Sequence, residues 1–361
     1  MAETAYDFAV FGSTPLALLL AGLLAADHAK KVCLVGSPNS AFRLGRSVDL
    51  SVMPVTRPET WALLKATTPE VVRLFGRIHG RSGMQRIDPV FVAETQSGAD
   101  ALSHMRHTAL GLGFAAERLP DGNPMGGVAH RLPDAILLRW TQLEPALGTW
   151  LEKCEVGRLS DEEARPTLRR DGGVRIEFGS SAVEAGVAVL ADDTAILSHL
   201  DTLEREKTLV PQTCTAILTE PTRALAAPLL VYVDRGVTLL RGRSGGILAI
   251  GSGPPQQAIA NIGGCLDGRG PLRRAGQRVF RSLRTADGAP LVGMPRGSKA
   301  IVVAGLGMAG AFLAPAIARA LTGTAEGDEK AYFAAREGGR GNARATIAEF
   351  AVGGPPVEVA A

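Results

Sequence analysis

The stretch YDFAVFGSTPLALLLAGLLAADHAKKVCLVG, Tyr6 to Gly36, reads as a strand, a tight turn, a helix and a second strand. Asp7 to Phe11 is short and largely apolar, the pattern of a buried strand. Pro15 falls in the first helical turn, where a missing N–H costs little. Leu16 to Ala26 is apolar nearly all round, so this helix is expected to lie buried between a sheet and other elements. KKVCLVG supplies the second buried strand. Strand, helix and strand within about thirty residues imply a right-handed parallel crossover.

Crossovers of this kind open dinucleotide-binding domains, whose turn reads G-x-G-x-x-G and whose second strand ends in an acidic residue. Here the turn is Gly12-Ser13-Thr14-Pro15-Leu16-Ala17, and the second strand ends in Gly36. Thr14 stands at the glycine that lets a pyrophosphate come close, and Ala17 at the helix-packing glycine. Gly36 has no carboxylate with which to accept ribose hydroxyls. A Thr14 N–H and hydroxyl can still donate to a phosphate, and Ser37 or Asn39 can partly replace the missing carboxylate. Taken alone, the turn fits a nucleotide site and a purely structural unit equally.

Composition narrows the classes. The 361 residues suffice for one large or two modest domains. A 46% hydrophobic and 21% charged content is that of a soluble globular protein. The net charge of +3 gives no argument for nucleic acid or an anionic membrane, and 5% aromatic content counts against base-stacking platforms. Cys33, Cys154, Cys214 and Cys265 are scattered, without a C-x-x-C pair or a histidine at ligand spacing. No zinc site or disulfide framework is expected, and a reducing compartment fits better. His104 and His107 share helical spacing without a third ligand nearby, so no metal site is expected there. Glu3 and Asp7 precede the LALLLAGLLAA run, with no Lys or Arg, which is unlike a signal peptide. No run approaches the ~20 apolar residues of a membrane span. The expectation is a soluble, cytoplasmic protein.

Further along, SPNSAFRLGRSVDLSV is a polar loop placing Arg43 and Arg46 near Ser47. PETWALLKATTPEVVRLFGRIHG is an amphipathic helix, RIDPVFVAET a strand, and GADALSHMRHTALGLG a helix ended by glycine. GGVAHRLPDAILLRWTQLEPALG reads as a loop and a helix, followed by a meander ending in the buried strand of GVAVLADDTAIL. TCTAILTEP and LLVYVDRGVTLLRGRSGGILAIGSG form a second antiparallel group. From Ala300, AIVVAGLGMAGAFLAPAIARALTG is again a strand, a Gly-rich turn and a helix. The fold class is therefore α/β, a discontinuous Rossmann-like domain with an inserted antiparallel-sheet domain. The expected boundaries are 1–80, 125–205 and 285–345 for the first, and 81–124 and 206–284 for the second. Residues 346–361 are expected to form a mobile tail.

The segment TADGAPLVGMPRGSKAIVVAGLGMAGAFLAPAIARAL, Thr285 to Leu321, resembles the closing flavin segment of the D-amino-acid oxidase/glycine oxidase family. The resemblance rests on Asp287-Gly288-x-Pro290 with Gly293, and on the apolar strand Ile301 to Val303. It continues through Gly305-x-Gly307-x-x-Gly310 and Ala314-Pro315 in the helix that follows. Glycines let the backbone approach a flat ring, and a helix N-terminus offers N–H groups to the electron-rich pyrimidine edge of a reduced flavin. The resemblance extends over most of residues 6 to 322.

The resemblance implies a glutathione-reductase-like fold, FAD as cofactor, and oxidation of a small amine or amino acid. Hydride would pass from a carbon bearing nitrogen to flavin N5, leaving an imine that hydrolyses. It implies that Gly12, Ser13, Thr14, Ala17, Gly36 and Ser37 line the ADP half, with Arg43, Arg46 and Ser47 at the pyrophosphate and the Val156 backbone at adenine. Gly305, Gly307, Met308, Ala309 and Gly310 would face the flavin. Arg284 lies near the family's arginine for the substrate carboxylate, but closer to Asp287 than is usual, in a run that also reads as a basic helix face. Asp192 stands where the family usually has glycine. The chemistry needs orientation and electrostatics more than acid–base groups, in keeping with the lack of a Ser-His-Asp set. Spacing gives no reason to prefer His79 or His130 as a base. The electron acceptor (oxygen, a quinone or a protein partner) and the oligomeric state are left open. Two rival readings stand: a flavin-dependent hydroxylase or protein-modifying enzyme, and a non-catalytic or weakly flavin-binding subunit or scaffold. The second is favoured by Thr14, Gly36 and Asp192.

Overall fold

The computed structural model describes residues 4–37, 44–202, 208–266, 273–295 and 297–337. Arg43, Asn39 and the segment 346–361 lie outside them. The chain opens with β1 (Thr4–Phe11), α1 (Pro15–Ala26) and β2 (Val32–Val35). Next come β3 (Asp49–Leu50), α2 (Pro58–Arg77), β4 (Met84–Ile87), β5 (Val90–Ala93) and α3 (Gln96–Gly111). They are followed by β6 (Glu117–Arg118), β7 (Val128–Arg131), β8 (Ala135–Leu138), α4 (Trp140–Lys153) and β9 (Gly157–Leu159). A meander of β10 (Arg165–Leu168), β11 (Val174–Phe178) and β12 (Ser181–Leu190) leads into α5 (Asp193–His199). The second half holds β13 (Leu209–Thr219), β14 (Leu229–Tyr232), β15 (Val237–Arg241), β16 (Ile247–Ser252), α6 (Pro255–Leu266) and β17 (Arg274–Thr285). It closes with β18 (Leu291–Gly293), β19 (Ile301–Ala304), α7 (Gly310–Thr322) and α8 (Gly327–Ala334).

Five strands run parallel in the order β9, β2, β1, β12, β19. β12 is long enough to pair twice on one side, with β11 through its first half and with β19 at its end. The chain's two ends are thus stitched into one sheet. The apolar α1 is buried from Pro15 to Leu24, packed with α7 and α4. That burial is what a helix without a polar face requires.

The second sheet has the order β17, β13, β16, β15, β14, β5, β7, β6, antiparallel except at β14–β5. α6 covers one face through Ile262, Cys265 and Leu266. Phe91, Val231 and Leu240 on the other face join the main core. A small sheet, β3–β8–β4, completes the fold. No helix among the described residues is long and apolar enough to cross a membrane.

Three segments differ from the sequence reading. RIDPVFVAET is two strands, because Asp88-Pro89 interrupts pairing and β4 and β5 join different sheets. GGVAHRLPDAILLRW contains β7 and β8 where a loop is expected. The arginine-rich run up to Arg284 is β17, an edge strand; its charges protect an exposed edge rather than forming a helix face.

Candidate functional site

Register aligns the ends of the parallel strands. Phe11 stands opposite both Leu190 and Val35, Leu190 opposite Val302, and Val35 opposite Leu159. The turns that follow therefore leave the sheet along one edge: Gly12 onward, Gly36-Ser37, Ser160-Asp161, Asp192, and Gly305 onward. The carboxyl edge of a parallel sheet is where α/β proteins bind ligands.

The first turn is tightly built. Gly12 has φ +150°, and its N–H donates to the Val35 carbonyl at 3.0 Å. Thr14 caps α1, its Oγ1 accepting from Ala17 N–H at 3.3 Å. A Cβ at Gly36 would overlap the Gly12 carbonyl and stand 2.8 Å from Ser13 Oγ. The missing ribose carboxylate is thus excluded by the turn folding over the end of β2. Ser37 Oγ instead donates to Asp161.

The polar groups of the first turn are engaged inside the protein. Ser13 N–H donates to Asp192 Oδ2 at 2.7 Å, while Asp192 Oδ1 accepts from Ala195 N–H at 2.8 Å and caps α5. Burial raises the Asp192 pKa, against the two N–H donors and Arg46, which lower it. Arg46 is exposed and reaches across to α5, Nη1 donating to Thr194 Oγ1 at 2.7 Å. Ser47 is exposed beside it. Val156 is buried before β9, with its N–H on the Leu151 carbonyl at 3.0 Å.

The closing turn is less committed. Gly305 has φ +72°, and a Cβ there would lie 2.8 Å from Thr285 Cγ2. Gly307, Met308 and Ala309 form one 3-10 turn, with Gly307 exposed and Ala309 buried. Among the described residues no side chain caps the start of α7, which leaves its first N–H groups without a side-chain partner, although Gly310 to Ala318 are buried. Gly310 lies against Leu16, an added Cβ reaching 3.4 Å from Leu16 Cδ2. The positive ends of α1 and α7 thereby converge.

The other candidates sit around this edge. Asp193, on α5, accepts from Ser282 Oγ at 2.9 Å and from Leu283 N–H at 3.1 Å, tying the end of β17 to the first sheet. Burial pushes its pKa up to about 6. Arg284 follows that anchor and precedes Thr285, the residue touching Gly305; it is half-buried with no acidic partner among the described residues. Strand alternation puts it on the Ser282 face. Sequence reasoning missed Asp49, on β3 beside the Gly307–Ala309 turn, whose pKa burial pushes up to about 7. Its signal was a lone acid in the alternating SVDLSV. His130 is 2% exposed on β7 and held down to about 4, chiefly by burial and then by Arg106. His79 follows α2 with φ +60°, and His104 Nε2 lies 3.0 Å from the Thr56 carbonyl. Among the described residues no group of His, Cys, Asp and Glu is placed to hold a metal.

The fold that carries this sheet edge is shared with solved structures. Glycine oxidase from Geobacillus kaustophilus superposes with a TM-score of 0.67, covering 88% of this chain and 94% of that one at 15% identity. The chain has the glycine oxidase fold. L-proline dehydrogenase from P. horikoshii gives a TM-score of 0.69 at 14% identity, over 92% of this chain and 97% of that one. Iminodiacetate oxidase from a Chelativorans species gives 0.67 at 16%, over 92% and 99%. The matched fold covers about nine-tenths of this chain in each case. No protein-family model matches the sequence, and no curated protein matches it either.

A flavin dinucleotide fits the two halves of this edge unequally. The closing turn offers the exposed Gly307 and a helix start without a side-chain cap among the described residues, suited to the edge of a flat, electron-rich ring. The first turn offers a pyrophosphate fewer donors, since Asp192 holds the Ser13 N–H and Thr14 Oγ1 caps its own helix.

Proposed function

We propose that this protein is an FAD-dependent oxidoreductase acting on the C–N bond of a small amine or amino acid. The observation that carries the reading is the Gly305–Gly310 turn, opening an uncapped helix at the carboxyl edge of a sheet of glycine oxidase topology. In this reading Gly305, Gly307, Met308, Ala309 and Gly310 hold the flavin ring. Gly12, Ser13, Thr14, Ala17, Gly36 and Ser37 line the ADP half, with Arg43, Arg46 and Ser47 at the pyrophosphate and the Val156 backbone at adenine. Bound FAD supplies the acceptor for a hydride.

What the chain's own groups do is orient and exclude water. The α7 N-terminus favours negative charge that develops beside it. Asp193 holds the end of β17, and Arg284 there is the candidate for a substrate carboxylate; its half-buried guanidinium has no acidic partner among the described residues, on the strand face opposite Thr285. The cofactor unit spans 1–80, 125–205 and 285–345, and the substrate unit 81–124 and 206–284. Anaerobic mixing of the FAD-loaded protein with amino acids and secondary amines tests the reading. Bleaching of the flavin band by one of these classes is expected. Bleaching by NAD(P)H alone would contradict it and point to a hydroxylase.

A further inference from the structure

We infer that Asp192 is the specificity-determining residue of the first turn: its carboxylate is an internal anion on the N–H that a nucleotide pyrophosphate would take. The natural ligand named here rests on the flavin reading; the geometry of the turn does not. Capping α5 needs only one carboxylate oxygen, and Oδ1 does this through Ala195 N–H. Oδ2 is turned the other way, to Ser13 N–H at 2.7 Å across 179 residues of sequence. It lies so close to the turn that a Cβ at Gly12 would meet it at 3.0 Å. Arg46, the described cation nearest this position in the resemblance, is drawn to the same spot through Thr194.

A diphosphate entering the turn meets one donor already in use and a like charge in contact with the backbone it must approach. Both effects weaken binding while Asp192 is ionised. The groups facing Asp192 do not cancel its charge uniformly. Arg46 lowers its pKa, Asp161 from the loop after β9 raises it, adjacent Asp193 is itself pushed upward, and His199 at the end of α5, held down by burial, interacts with it. Burial dominates, so Asp192 takes a proton more readily than an ordinary carboxylate. The neutral form grows as pH falls, and phosphate binding at this turn tightens with it.

The test is calorimetric titration of the full chain with ADP and, separately, with FAD. Wild type, Asp192→Asn, Asp192→Gly and the distant surface variant Asp121→Asn are compared at pH 8 and pH 6. Asp192→Asn keeps a capping oxygen, so it retains the fold if Asp192→Gly does not. Expected is a gain of at least tenfold in ADP affinity at pH 8 for Asp192→Asn, none for Asp121→Asn, and a steeper pH dependence in wild type than in Asp192→Asn. A folded Asp192→Asn with unchanged ADP affinity overturns the inference. ADP gained without any flavin uptake supports it while counting against the flavin reading. Tight FAD binding by wild type, unaltered by Asp192→Asn, does the reverse.

Discussion

Gly36 abuts the Gly12 carbonyl, with no room for a Cβ. An acid introduced at this position is therefore not expected to gain a ribose contact. Gly36→Asp is expected to destabilise the protein by about 2–3 kcal/mol through overpacking, without tightening FAD binding. Thermal melts and FAD titration of the variant check both halves. Arg284→Leu is expected to weaken carboxylate-bearing substrates by about 2–3 kcal/mol in apparent affinity, leaving flavin content intact. Equal apparent KM values for such substrates in variant and wild type would remove Arg284 from the site. The sequence exposes Thr14 and Gly36 as departures from a fingerprint but not their physical reasons. Those reasons are a helix cap and a backbone contact between two turns. Asp49 stayed hidden because its altered acidity comes from burial, which no local pattern encodes.

At the level of elements, α1 meets α4 through a missing side chain. A Cβ at Gly22 would overlap the Trp150 ring, lying 2.8 Å even from Cε3. Gly22→Ala should therefore destabilise by about 2–3 kcal/mol, although alanine is the better helix former. A stability equal to or above wild type in denaturant melts would show that the ring yields. α7 is pinned from outside by Arg319, which donates to Glu70 of α2 at 2.8 Å and to Glu329 of α8 at 2.9 Å. Both terminal strand–helix pairs were legible because each is a continuous apolar run bounded by a Gly-containing turn. β7 and β17 were not, since their strand character comes from partners far along the chain: β5 and β6 for one, β13 for the other. A four-residue strand such as VAHR carries too little periodicity to declare itself.

Across the whole molecule, buried acids and buried histidines pull stability in opposite directions with pH. Asp49, raised to about 7, contributes stability that is present below the ordinary carboxylate range and lost as pH rises through 7. His130, lowered to about 4, stabilises the fold as pH rises to about 6.5 and adds nothing further above it. Above about pH 6.5 the carboxyl dominates, so the melting temperature should fall between pH 6.5 and about 7 and level off beyond it. Asp49→Asn should flatten the fall, and a curve rising to pH 8 would contradict this balance. The discontinuous architecture was visible in the sequence because matching α/β units stand at both ends. The Asp192–Ser13 contact, which makes the cofactor question sharp, joins those halves only in space.

The most direct measurement is the visible spectrum of the purified protein after incubation with FAD at pH 6, for wild type, Asp192→Asn and Gly305→Val. Expected are a protein-bound flavin band in wild type, a stronger one in Asp192→Asn, and none when a branched side chain is forced onto the closing turn. Colourless wild type and Asp192→Asn proteins, both folded, would contradict the flavin reading.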